Sequence, residues 1–186
     1  MSKLNRRLWP GGLCVVVWAC LNAPAQNPAP TEYQVKAAFL YNFGRFVEWP
    51  ARARPPANLT ICVLGDDPFG PVLDGLIEGK SIQGRKLVAR RPERVEDAGD
   101  CHILFISSSE NGRLAQILAA LRGRSVLTVG EAERFAHRGG MINFRLEGSK
   151  VRFEINLDAT EQEGLTVSSQ LLKLATIIRE HQQPRG

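Results

Sequence analysis

The side chains that usually carry chemistry are few here and do not form a familiar constellation. The three histidines, His102, His137 and His181, stand at neither HxxxH, HExxH nor CxxC…H spacing, so nothing supports a metal site. GxSxG is absent around Ser107, Ser108 and Ser109, and no histidine is spaced to serve them as a base. Gly75, Gly79 and Gly84 form neither GxGxxG nor a Walker loop, which removes the common nucleotide cradles. Asp66-Asp67 reads as a helix cap rather than a cation or phosphoacceptor site, because the later strand that should bring a second aspartate ends in Ser107. No catalytic residue, cofactor or metal is therefore expected, and binding becomes the better reading than catalysis.

A strong charge and a long apolar run are also missing. The apolar stretch at 13–21 is too short to span a bilayer and follows Lys3, Arg6 and Arg7. With Ala23-Pro24-Ala25 behind it, residues 1–25 read as a signal peptide. Lipid attachment at Cys20 is the alternative, weakened by the bulky Trp18 nearby. The 24 basic residues include the three in this segment; removing them leaves 21 against 19 acidic, a net charge of +2. No basic patch interleaved with aromatics remains, which argues against nucleic acid. The expected location is the periplasm, with residues 26–30 a linker, 31–181 the domain and 182–186 a tail.

Cys14 and Cys20 leave with the signal, so Cys62 and Cys101 remain. Two cysteines in an exported protein suggest one disulfide, the alternative being two buried thiols.

The patterning predicts a mostly parallel α/β sheet sandwiched by helices, with a C-terminal antiparallel β-hairpin and a closing helix. Val35, Phe39, Phe43 and Phe46 mark an opening amphipathic helix, capped by Thr31 and ended before Pro50. Residues 51–58 are a proline-broken connection. Runs at 59–64, 101–106 and 125–129 read as buried strands, with another strand at 85–91. Helices are expected from Pro68 behind an Asp67 cap, at 110–122, and at 131–137 up to Gly139-Gly140. Alternation in 142–147 and 151–157 predicts a hairpin with one dry and one wet face, the latter carrying Arg145, Glu147, Arg152 and Glu154. A last helix is expected over 168–180.

Several blocks, in this order and spacing, resemble the YfiR family of periplasmic proteins across about residues 31–181. They are the segment from Lys36 to Phe43 leading to Trp49-Pro50, the run from Ile61 to Asp66, the run from Cys101 to Ile106, and Gly139-Gly140-Met141-Ile142 with Phe153-x-Ile155-Asn156. The resemblance implies a dimeric α/β repressor. It would bind the periplasmic sensor domain of an inner-membrane diguanylate cyclase, lower cyclic-di-GMP and biofilm formation, and meet the membrane only through that partner. It also implies that Cys62 and Cys101 pair. A second disulfide known in the family would fall at Ala136 and Asn143, where this sequence has no cysteine. The partner-contact region falls on Ile142, expected to be exposed, and Glu154. Thr160 occupies a further such position without the apolar side chain expected there. The rival readings are a small-ligand binder, with Phe39, Phe43 or Trp49 in its pocket, and a hydrolase with an unrecognised site.

Overall fold

A computed structural model describes residues 29–50 and 58–179. The expected signal peptide, the lipid-attachment alternative at Cys20, most of the 26–30 linker, nearly all of the 51–58 connection and the 182–186 tail lie outside the described residues. The chain forms α1 (Glu32–Phe46), β1 (Val47–Glu48), β2 (Asn58–Leu64), α2 (Pro71–Ile77), β3 (Ser81–Ile82), β4 (Arg85–Arg90), β5 (Ile103–Ile106), α3 (Leu114–Leu121), β6 (Leu127–Gly130), β7 (Ile142–Glu147), β8 (Lys150–Asn156), α4 (Leu157–Gln162), β9 (Thr166–Val167), α5 (Ser169–Leu172) and β10 (Thr176–Ile178). The main sheet runs β10-β8-β7-β6-β5-β2-β4-β3; only the β7–β8 and β3–β4 pairs are antiparallel.

Strand side chains alternate between two cores, which is why the central strands are apolar on both faces. Leu59, Ile61 and Val63 of β2, with Ile103 and Phe105 of β5, join α1 and α2 on one side. Cys62 and Leu64, with Leu104 and Ile106, meet α3 on the other. Cys62 and Cys101 are disulfide-bonded there, bridging neighbouring strands within the buried layer. The expected α/β sandwich is present.

α1 starts with a reciprocal cap. Thr31 Oγ1 accepts from the Gln34 N–H (3.3 Å) and Gln34 Oε1 accepts from the Thr31 N–H (2.7 Å). Its fully buried face is Lys36, Ala37, Leu40, Phe43 and Gly44, rotated from the expected stripe, so Val35, Phe39 and Phe46 are half-buried at its margin. Gly44 lets the helix approach the sheet: a Cβ there would lie 3.1 Å from Ile82 and 3.4 Å from Leu59. The helix ends at Phe46, earlier than Pro50 requires, because Val47 and Glu48 pair antiparallel with Val167 and Thr166.

Other boundaries move for local reasons. Asp67 does not cap a helix at Pro68; its Oδ1 accepts from the Phe69 and Gly70 N–H groups in a turn, and α2 begins three residues later at Pro71. The expected 110–122 helix opens as a 3-10 segment from Ser108 to Arg113 before α3. The closing helix shrinks to the single turn of α5, after which β10 pairs parallel with β8. Thr176, Ile177 and Ile178 are β-branched and pair at the open sheet edge, where branched side chains lose less rotamer freedom than in a helix.

Candidate functional site

Strand order dictates where to look. β2 leads by way of α2 to β4 on one side, and the chain then returns to β5 on β2's other flank. The connections diverge between β2 and β5, and open α/β sheets bind ligands outside the carboxyl ends of their strands at such a switch point. A cavity of about 360 Å³ lies there, between Asp66, Pro68 and Ser107–Ser109. It adjoins one of about 560 Å³, the two sharing Tyr33, Ser108 and Glu131. The larger cavity opens because β6 stops at Gly130, opposite Asn143, while β7 runs on to Glu147.

Tertiary packing builds the wall of this crevice from α1. Lys36 is only 3% exposed. Its ammonium is held by Glu32 and Glu131, 4.7 Å from the Tyr33 ring centroid and 5.9 Å from that of Phe144. Burial pulls the ammonium's pKa down, but the hydrogen bonds to Glu131 and Glu32 outweigh it and leave it above the ordinary lysine value. Burial and the charge of Glu131 raise the Tyr33 phenol, so both groups keep their protons at neutral pH. Arg134, on the rim, has φ 57°, a left-handed conformation costing about 1 kcal/mol for such a residue and often found at functional sites.

The opposite wall is the base of the hairpin. Asn143 and Glu154 are a cross-strand pair, and Asn143 Nδ2 donates to Glu154 Oε2 at 3.0 Å. Arg145 donates to the other carboxylate oxygen, and this bond with its charge raises the already high pKa of the guanidinium. Asn143 Oδ1 accepts from no described residue. Glu154 is thus not the solvated strand charge expected: it is 5% exposed and its carboxylate orients two neighbours. The wet face holds only for the outer half, where Arg145, Glu147, Lys150 and Arg152 are exposed.

Ile142 corrects a second expectation. It is 0% exposed, pairs with Ile155 and packs in the α1-side core, on the face opposite Glu154. A buried side chain on the core face touches no partner in this conformation. The exposed apolar residue of the hairpin is Leu146, 53% exposed, where the dry face outruns the end of α1. Below it that face is sealed by Phe39 and Phe43 against Phe144 and Phe153, with ring centroids 5.2–6.1 Å apart.

Trp49 lies apart from the crevice. It is half-buried, edge-on to His102 at 5.7 Å, and its Nε1 has no partner among the described residues. His102 takes a structural part: Nδ1 accepts from the Thr60 N–H at 3.2 Å. Burial, reinforced by the charge of Arg85, lowers its pKa to about 4 and keeps it neutral. Among the described residues no histidine, cysteine and carboxylate cluster could hold a metal. No helix there is long and apolar enough to cross a membrane.

Sequence reasoning missed Tyr33, Lys36, Glu131, Asn143 and Arg145 as a group. Lys36 did carry a signal, because it stands in register with Leu40 and Phe43 on the buried face of α1. The others converge only through the sheet.

The sequence model of the YfiR/HmsC-like family matches residues 33–176, most of the chain. Among solved structures, an ABC domain in complex with L-Trp from Streptococcus pneumonia is 10% identical, with a TM-score of 0.51, covering 75% of this chain and 59% of that one. A conserved domain protein from Vibrio cholerae is 15% identical, with a TM-score of 0.48, covering 81% and 60%. This chain therefore spans about three-fifths of each, and at such identity the first likeness concerns the fold alone.

Proposed function

Because the chain belongs to the YfiR/HmsC-like family, whose members are periplasmic regulators of diguanylate cyclases, we propose that it represses one by binding its periplasmic sensor domain. Cyclic-di-GMP and biofilm formation fall as a result. The observation that carries this reading is the family match over residues 33–176. The Cys62–Cys101 bridge is in keeping with an oxidising compartment. Export is by the 1–25 segment, and the working unit is a homodimer.

The contact surface in this reading is the outer hairpin. Leu146 supplies an apolar anchor, and burying its exposed half contributes about 1 kcal/mol. On the hairpin's other face Arg145, Lys150 and Arg152 outnumber Glu147, which favours an acidic partner surface and speeds encounter more than it adds affinity. Ile142 and Glu154 act from beneath: Ile142 anchors β7 on the core, and Glu154 holds Arg145 in place. Binding of the cyclase's sensor domain to the purified protein tests this. Leu146→Asp and Arg145→Glu should each weaken the complex, Glu154→Gln less so, and Ile142→Val hardly at all. Native affinity in both Leu146→Asp and Arg145→Glu would remove the hairpin from the interface.

A further inference from the structure

We infer that the pocket between α3 and α4 binds a short organic carboxylate, with Arg122 and Arg138 on its charged end and Leu118 against its carbon body. None of the hairpin residues proposed to meet the partner lines this pocket, and the inference does not depend on that reading.

The space comes from small side chains on two helices. Ala115 of α3 and Ala159 of α4 both line it and leave about 280 Å³ between them. Gly139 adds nothing to fill it: a Cβ there would have one atom within 4 Å, Leu118 Cδ1 at 3.9 Å. Of the apolar lining, Ala115, Leu118 and Ala159 keep exposed surface, whereas Leu121, Val126 and Met141 are buried beneath them. That gives a short apolar wall, enough for a few carbons.

The polar lining has the opposite need. Arg122, Arg138 and Gln162 all bring side-chain N–H donors to the pocket. Neither guanidinium has a carboxylate partner among the described residues: Arg138 donates to the side-chain and main-chain oxygens of Asn111, and no described side chain pairs with Arg122. The one carboxylate of the lining is tied back. Glu163 Oε1 accepts from the Gly123 N–H at 2.8 Å and Oε2 from the Ser125 N–H at 3.0 Å. Ser125 makes that bond from φ 55°, a left-handed conformation uncommon for a residue with a side chain and concentrated at functional sites. With the acid occupied and the guanidiniums open, the pocket favours an anion, and a carboxylate matches the guanidinium fork. A bare inorganic anion would leave the Leu118 wall unused.

Calorimetric titration of the purified exported protein, without any partner, tests the site. The probes are hexanoate, 1-hexanol, which has the body without the charge, and acetate, which has the charge without the body. Hexanoate should bind saturably and the other two at least about tenfold more weakly. Arg122→Glu should cut hexanoate affinity about tenfold. Ala115→Trp, which fills the pocket from an exposed helix position, should do the same, with circular dichroism confirming the fold of both variants. Absence of saturable hexanoate binding would overturn the inference. So would equal binding of 1-hexanol or acetate, or native affinity in either variant. Because no cyclase is present, failure here leaves the repressor reading standing.

Discussion

Opening the Cys62–Cys101 bridge separates stability from signalling. The cysteines lie 39 residues apart in sequence, one within β2 and the other just before β5, with their Cα atoms 5.9 Å apart. Freeing a loop of that length restores denatured-chain entropy worth about 4 kcal/mol. Both sulfurs are buried beside α3, so Cys62→Ala/Cys101→Ala adds about 1 kcal/mol per site for lost packing. A domain of this size loses about 2–4 °C per kcal/mol, which sets the fall in Tm on reduction at about 8–16 °C. The assay is scanning calorimetry with and without a phosphine reductant, with thiol titration to confirm cleavage. Partner affinity is measured on the same samples at 25 °C. Ordinary domain stability exceeds 4 kcal/mol, so the reduced protein should stay folded at that temperature and bind with unchanged affinity. A Tm shift under about 3 °C would refute the loop-entropy magnitude. A loss of affinity at 25 °C with the fold intact would refute a purely stabilising role and make the single bridge a redox sensor.

Three further outcomes follow from the packing. His102 has a folded pKa of about 4 against an ordinary 6.5, so the unfolded chain binds the extra proton between those values; stability should fall as pH drops through that window, by up to about 3 kcal/mol. Urea unfolding at several pH values reads this, and a flat profile would show His102 to be freely protonated in the fold. Lys36→Met strands Glu131 and Glu32 without their cation and should cost about 3 kcal/mol, whereas Lys36→Arg, which keeps the charge, should cost less; equal costs by denaturant titration would contradict the ion-pair account. A Cβ at Gly140 would fall 2.1 Å from the Phe135 ring, so Gly140→Ala should cost about 1–3 kcal/mol by overpacking. At the hairpin turn Gly148→Ala meets no atom and should cost only about 1 kcal/mol, from its positive φ of 60°; equal costs by denaturant titration would contradict the packing argument.

The proposed contact surface and the crevice meet on the hairpin. Arg145 and Leu146 of the contact surface line the larger cavity together with Asn143 and Glu154 at the hairpin's base. Glu154 touches both, since it accepts from Asn143 at the crevice and from Arg145 on the outer face.

Periodicity alone was enough for α1, the buried strands β2, β5 and β6, and the β7–β8 hairpin, because a stripe at 3.6 residues or an alternation at 2 reports directly on which side chains leave water. It was also enough for the sandwich class, since strands apolar on both faces need cover on both. It did not separate the end of the chain into α5 and β10, because Leu171, Leu174 and Ile178 keep the helical spacing i, i+3, i+7 and only the open edge of β8 overrode it. Leu174 is 65% exposed as a consequence. Nor could it tell Ile142 from Leu146. Both are apolar residues on the same face of one strand, and only the length of α1 lying over that strand buries the first and exposes the second. The crevice belongs wholly to tertiary structure: Lys36, Glu131, Asn143 and Glu154 come from four separate segments and meet only where β6 ends short of β7. Electrostatic environment depends on such long-range neighbours, and these leave no mark in local spacing.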